Sequence, residues 1–166
     1  MRIQLIAFDV DGVLTDGKIH YTSQGHEIKS FHVRDGHAMK LAQRAGLQVA
    51  LITGRRSDMV AVRAEELGIS HVYQGVKEKV VALGELLATT GLEPDQICYL
   101  GDDVVDIPLI RRVGLGCAVA DAPEEVRQAA DLITDASGGM GAGREVIVLI
   151  LKAKGLWDGV MERYLV

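Results

Sequence analysis

Four short stretches carry the residues able to do chemistry. They are Asp9-Val10-Asp11-Gly12-Val13-Leu14-Thr15-Asp16-Gly17, Thr53-Gly54-Arg55-Arg56, the single Lys79, and Gly101-Asp102-Asp103-Val104-Val105-Asp106. Taken singly, each reads as ordinary turn residues or a solvated helix charge. Taken jointly, and placed at one sheet edge, they bring up to four carboxylates together: Asp9, Asp11, Asp102 and Asp103. Like charges that close repel unless a cation neutralises them or some are protonated. Oxygen-only ligands suit a hard ion, and Mg²⁺ takes one or two carboxylates, several waters and a substrate phosphate. Opposite the acids, the Thr53 hydroxyl, the Lys79 ammonium and N–H groups near Gly12 and Gly54 are expected to hold the remaining phosphate oxygens.

The elements that must position these groups follow from periodicity. Short apolar runs alternate with segments of helical pattern, the rhythm of an α/β fold. Strands are expected over residues 3–8, 48–53, 71–73, 97–100, 117–120 and 132–134, and helices over 36–45, 58–67, 79–90, 106–113, 123–130 and 145–154. Gly46, Gly68, Gly91 and Gly114 each follow a helical stretch, where a left-handed residue would end it. Ser57 and Asp121 are expected as helix N-caps. Residues 18–22 and 27–31 flank Ser23-Gln24-Gly25-His26 and read as a projecting β-hairpin spanning about 18–32. Right-handed crossovers give a single-domain, doubly wound, Rossmann-like parallel sheet over 1–166, with ligands at the carboxyl ends of its strands. Residues from about 137 to 166, opening on the Gly138–Gly143 cluster, are expected as a flexible tail.

Composition bounds the setting. The chain has 166 residues, 23 acidic against 18 basic for a net charge of -5, and 19 glycines. At roughly 150 residues per domain this predicts one domain, and the acidic balance is the reverse of a nucleic-acid binder's. Cys98 and Cys117 lie in apolar runs without metal-ligand spacing and read as buried reduced thiols, which fits the cytoplasm. The N-terminal apolar run is too short for a signal segment, and no later run is long enough to cross a bilayer.

The four stretches, in this order, resemble the motifs of the haloacid dehalogenase superfamily of aspartyl-phosphate-forming hydrolases. The resemblance implies that Asp9 is the nucleophile and Asp11 the general acid and base. It implies that Mg²⁺ is held by Asp9, the Asp11 backbone carbonyl and Asp102, with Asp103 as an additional metal candidate. Thr53 and Lys79 complete the catalytic set, and Asp106 is expected to orient Lys79 or a metal-bound water. An Asp at position 11 is similar to phosphatases and phosphomutases of the superfamily. The intervals between motifs leave no room for a cap domain, so a large substrate or neighbouring subunits must close the site.

Further stretches, Phe31-His32-Val33-Arg34-Asp35-Gly36, Tyr73-Gln74-Gly75 and Gly138-Gly139-Met140-Gly141-Ala142-Gly143-Arg144-Glu145, extend the likeness to a capless subfamily over nearly the full length. That resemblance implies hydrolysis of a phosphorylated eight-carbon keto-sugar acid in lipopolysaccharide precursor synthesis, by a homotetramer whose hairpin completes a neighbour's site. A sugar acid needs a cation for its carboxylate. Arg55 is favoured, with Arg63, Lys77 and Arg144 available. Phosphatase action on another sialic-acid-like sugar phosphate, and a non-catalytic oligomerisation module of the same fold, stay open. A signalling receiver domain does not fit, because no Asp follows Thr53-Gly54 in the phosphoacceptor role.

Overall fold

The computed structural model describes residues 1–165. A six-stranded parallel sheet forms its centre: β1 (Leu5–Phe8), β4 (Gln48–Thr53), β5 (His71–Gln74), β6 (Ile97–Gly101), β7 (Leu115–Ala118) and β8 (Leu132–Ile133), in the order β5-β4-β1-β6-β7-β8. A second, two-stranded antiparallel sheet pairs β2 (His20–Tyr21) with β3 (Glu27–Ile28). The helices are α1 (Val33–Arg44), α2 (Asp58–Leu67), α3 (Lys79–Thr90), α4 (Ile107–Ile110), α5 (Glu124–Ala129), α6 (Ala142–Ala153) and α7 (Trp157–Met161).

Central strands covered on both faces need continuous apolar runs. Leu-Ile-Ala-Phe of β1 is wholly buried, as are all five residues of β6. In-register pairing runs Leu5↔Gln48 to Phe8↔Leu51 on one side and Leu5↔Ile97 to Phe8↔Leu100 on the other. Helix α1 contacts α2 and α6, and α4 contacts α3 and α5, giving one set for each face. Chain order reverses at β1, so its carboxyl end opens on the crevice where doubly wound sheets take ligands.

Several local expectations need correction. The strand expected at 117–120 lies at Leu115–Ala118, where it pairs with β6. The 106–113 helix shortens to a 3₁₀ turn, Val104–Asp106, followed by the four-residue α4. Gly114 is no left-handed cap: its Cα faces the chain at Asp95, where an added Cβ would stand 2.1 Å from a carbonyl oxygen. Asp121 caps no helix and instead accepts the Gly138 N–H at 2.9 Å. Ser57 does precede α2, yet its hydroxyl goes to Glu27 Oε2 at 2.6 Å rather than to the helix. Cys98 and Cys117 are buried, with sulfurs 3.7 Å apart on adjacent strands.

The segment expected as a flexible tail is packed. Val146, Ile147, Ile150 and Leu151 of α6 are fully buried against α1. Ahead of the helix, the Glu145 carboxylate accepts the N–H groups of Asp135 (2.8 Å) and Ala136 (3.0 Å), closing the Gly-rich loop on itself. The 2% exposed Asp35 accepts the Arg144 N–H at 2.7 Å. A carboxylate from α1 thus satisfies a donor in the first turn of α6, where negative charge is favoured. No helix among the described residues is long and apolar enough to cross a membrane.

Candidate active site

The first strand delivers Asp9 to the crevice because its N–H continues the ladder to Leu100 O at 3.0 Å. The chain then coils into a tight turn, with the N–H groups of Leu14 and Thr15 on Val10 O at 2.9 and 3.0 Å. Thr15 Oγ1 accepts from Gly12 N–H (3.3 Å) and Gly17 N–H (3.2 Å), gathering the loop from inside. The Gly12 N–H, expected to meet a phosphate, therefore has an internal partner. Gly12 itself is required by two facts: its φ is 94°, and an added Cβ would lie 2.0 Å from Asp102 Oδ2.

The Gly-rich loop braces this turn. Gly139 N–H donates to Val13 O at 2.9 Å, and a Cβ on Gly138 would stand 1.8 Å from Gly12 O. Backbone lies on backbone there, which only glycine permits.

Beneath the turn sits a buried charge cluster. Lys79, the first residue of α3, places Nζ 3.0 Å from Asp9 Oδ1 and 2.5 Å from Asp106 Oδ1. The Tyr99 hydroxyl donates to the same Asp106 oxygen at 2.5 Å and receives the Lys79 ammonium at 3.2 Å. The other Asp106 oxygen accepts the N–H groups of Asp102 (3.0 Å) and Asp103 (3.1 Å). Asp106 is wholly buried, so it both orients Lys79 and folds the acidic turn beneath the site. Tyr99 was not singled out from the sequence. The available signal was a tyrosine inside a buried strand, whose hydroxyl must find a partner.

Asp9, Asp102 and Asp106 each offer an oxygen within 4.8 Å of the others. Asp103 lies outside that group, and its carboxylate accepts the Val104 N–H at 2.7 Å to cap the 3₁₀ turn. Burial raises the Asp9 pKa, the charge of Lys79 works against it, and that of Asp106 adds to it. Asp102 is pushed up to about 8, chiefly by burial, then by the charges of Asp9 and Asp106. Lys79 loses stability as a cation through burial but gains more from Asp9 and Asp106, so its pKa rises. Asp102 Oδ1 and Asp9 Oδ1 are buried without a hydrogen bond; the Lys79 contact to Asp9 is an ion pair lacking hydrogen-bond alignment. Two crowded carboxylates, one with a buried oxygen that has no partner, form a donor set that fits a hard divalent cation.

A second group of charges covers the mouth. Asp11 Oδ1 pairs with Lys29 from the hairpin, and Asp11 Oδ2 lies 3.9 Å from Arg55 Nη1. Glu27 Oε1 accepts from Arg55 Nη2 at 2.7 Å and lies 3.7 Å from Lys29. Neither Glu27 nor Lys29 was singled out in the sequence, because charged residues on a hairpin read as solvated faces. Thr53 ends β4 buried at 2% exposure, with Gly54 exposed after it. Within this chain Arg63 and Arg144 do not join the acids. The Arg63 guanidinium lies over Gly36, 6.0 Å from the centre of the Phe31 ring and 3.1 Å from Glu66, and Arg144 opens α6 through its N–H bond to Asp35.

Known proteins share this arrangement of chain. Residues 71–141 match the family model of haloacid dehalogenase-like hydrolases. Over 158 residues the chain is 46% identical to the 3-deoxy-D-manno-octulosonate 8-phosphate phosphatase of Yersinia pestis, spanning 95% of this chain and 84% of that protein. A crystal structure of a probable YrbI family phosphatase from Pseudomonas syringae superposes with a TM-score of 0.97 at 48% identity, over 99% of this chain and 94% of the other. That of 3-deoxy-D-manno-octulosonate 8-phosphate phosphatase from Moraxella catarrhalis, in complex with magnesium, phosphate and a KDO molecule, superposes with a TM-score of 0.96 at 44% identity, covering 98% and 94%. With its strand order, its capless intervals and its buried Asp9–Lys79–Asp106 cluster, and similar over nearly its full length to 3-deoxy-D-manno-octulosonate 8-phosphate phosphatases, the chain belongs to the haloacid dehalogenase-like hydrolases and is a phosphomonoesterase.

Proposed function

We propose that the chain hydrolyses 3-deoxy-D-manno-octulosonate 8-phosphate to the free sugar acid and phosphate, with Mg²⁺, through an aspartyl phosphate on Asp9. The observation that carries this reading is the pair of crowded carboxylates, Asp9 and Asp102, the second with a buried oxygen that has no partner and the first ion-paired to a buried ammonium. Asp9, the Asp11 carbonyl and Asp102 would hold the ion, which when bound neutralises charge on the transferring phosphoryl group.

The chain's own residues do the rest. Asp9 attacks phosphorus in line, splitting one difficult displacement into two easier ones. Lys79, fixed by Asp106 and Tyr99, stands beside Asp9 and meets a phosphate oxygen together with the Thr53 hydroxyl. Asp11, two residues on and at the mouth, gives its proton to the leaving alkoxide and later takes one from the attacking water. Arg55, the half-exposed guanidinium next to Asp11, receives the sugar carboxylate. Arg63 and Arg144 would act on substrate only in a neighbouring copy's site.

The same reading makes the protein a cytoplasmic homotetramer serving lipopolysaccharide precursor synthesis. Ile19, Tyr21, Ile28 and Val33 stand at least half exposed on and beside the hairpin, an apolar patch that association would cover. A phosphate-release panel of keto-sugar-acid phosphates, hexose phosphates and nucleotides with Mg²⁺ tests the substrate. The eight-carbon acid should lead in kcat/KM, and nucleotides leading by a wide margin would overturn the choice.

A further inference from the structure

The hairpin was expected to complete a neighbour's site, yet its charged side chains lie on the site of their own chain. Asp11, Lys29, Glu27 and Arg55 form a ring in which each acid stands between two cations. Three observations set this ring apart from a surface salt-bridge cluster. The Lys29 side chain is only 2% exposed, although lysine is almost never buried without a partner. Glu27 also takes the Ser57 hydroxyl at 2.6 Å, so its carboxylate ties the hairpin to the β4–α2 turn that carries Arg55. Finally, Arg55 divides its two terminal nitrogens: Nη2 is committed to Glu27, whereas Nη1 is buried without a hydrogen-bond partner, 3.9 Å from Asp11. A donor left free in that position awaits an anionic oxygen.

We propose that Glu27 and Lys29 are positioning residues of the reaction in their own chain: Glu27 presents the free edge of Arg55 to the substrate's carboxylate, and Lys29 fixes the Asp11 carboxyl toward the leaving oxygen. The assignment rests on the reading of Asp11 as acid and base and of Arg55 as carboxylate receptor. It divides the hairpin's work in two. Glu27 acts on binding of the sugar acid. Lys29 acts on the step in which the ester oxygen departs, and most where that oxygen leaves as the poor alkoxide of a sugar.

The division can be read in steady-state kinetics of the full chain with Mg²⁺, using 3-deoxy-D-manno-octulosonate 8-phosphate and p-nitrophenyl phosphate, which has no carboxylate. Glu27→Gln should raise KM for the sugar acid about tenfold while kcat stays within about twofold, and should leave p-nitrophenyl phosphate unchanged, because only uniform binding to the acid is lost. Lys29→Met should lower kcat on the sugar ester by about 10²-fold at similar KM, the scale of a misplaced acid–base group, and on p-nitrophenyl phosphate by much less, because nitrophenolate departs without a proton. Should the methionine variant also lose stability, Lys29→Arg decides: recovery of most of kcat supports positioning by charge, and kcat as low as that of methionine overturns it. Equal KM increases on both esters in Glu27→Gln, or kcat on the sugar ester within twofold of wild type in Lys29→Met, would overturn the proposal. A wild-type enzyme with no KM preference for the carboxylated ester would instead remove the Arg55 reading beneath it.

Discussion

Two charge clusters share one crevice and are built in opposite ways. The lower one, Asp9, Lys79, Asp106 and Tyr99, is buried, and its members stand at the end of one strand and within another, on the first residue of a helix and on a short turn that Asp106 itself folds. The upper one, Asp11, Lys29, Glu27 and Arg55, hangs on a loop, a turn and a hairpin whose strands are two residues long. On the proposed reading, the groups that meet the phosphate are set in the core, where low dielectric strengthens each contact and packing forbids drift. Those proposed to face the variable part of the ester are set on a loop, a turn and a hairpin.

The contrast breaks first at Asp9. Asp9→Asn should fold, yet phosphate release should drop by at least about 10³-fold, as for loss of a nucleophile; substantial residual turnover in a phosphate assay removes the assignment. Next, Asp106→Ala should cost stability and activity together. Removing one partner of a buried ion pair costs about 3–5 kcal/mol, so the denaturation midpoint should fall sharply, whereas Glu27→Gln should barely move it. A small shift for Asp106→Ala would mean that the two clusters are not different in kind. Gly138→Ala should be smaller again, about 1–3 kcal/mol of strain against the Gly12 carbonyl, with kcat reduced because the Asp9–Asp11 turn must yield; unchanged kcat would detach the Gly-rich loop from the chemistry.

Metal and pH sharpen the lower cluster further. Without metal, burial and the charges of Asp9 and Asp106 push the Asp102 carboxyl up to about 8, from an ordinary value of 3.8, so the folded state holds the extra proton between these limits. Stability from this group therefore falls as pH rises from about 4 to about 8. Protons and Mg²⁺ compete for the same carboxylate, so the rise in Tm on adding Mg²⁺ should be larger at pH 8 than at pH 6. An increment independent of pH speaks against Asp102 as a ligand. The smallest effect on the isolated fold belongs to Tyr21→Ser with Ile28→Ser, 62% and 50% exposed in the wild type. Light scattering should show loss of the proposed tetramer with little change in secondary structure, and an unchanged mass would move the interface elsewhere.

How much of this was legible in the sequence follows the same division. Asp9, Thr53, Lys79 and Asp102 stand at strand ends or on the first residue of a helix, so period and punctuation place them. The link from Asp106 to Lys79 could be anticipated because both sit beside those ends. The bond from Asp35 to the N–H of Arg144 could not, since nothing local pairs groups separated by most of the chain. Glu27 and Lys29 escaped because charged residues on a short hairpin carry no local sign of which neighbours they meet. Gly138 was seen as flexibility when its meaning is contact: a missing Cβ looks the same in a sequence whether it frees a chain or lets another chain approach.

The packing of Gly138 and Gly139 on the Gly12–Asp16 turn has a consequence in time. A growing chain contains every acid of the site once Asp106 has been made, but the brace that seats the turn comes only with Gly139, and its anchor only with Arg144. Catalytic competence therefore waits for the C-terminal segment, and a half-finished chain carries the acids without the means to aim them.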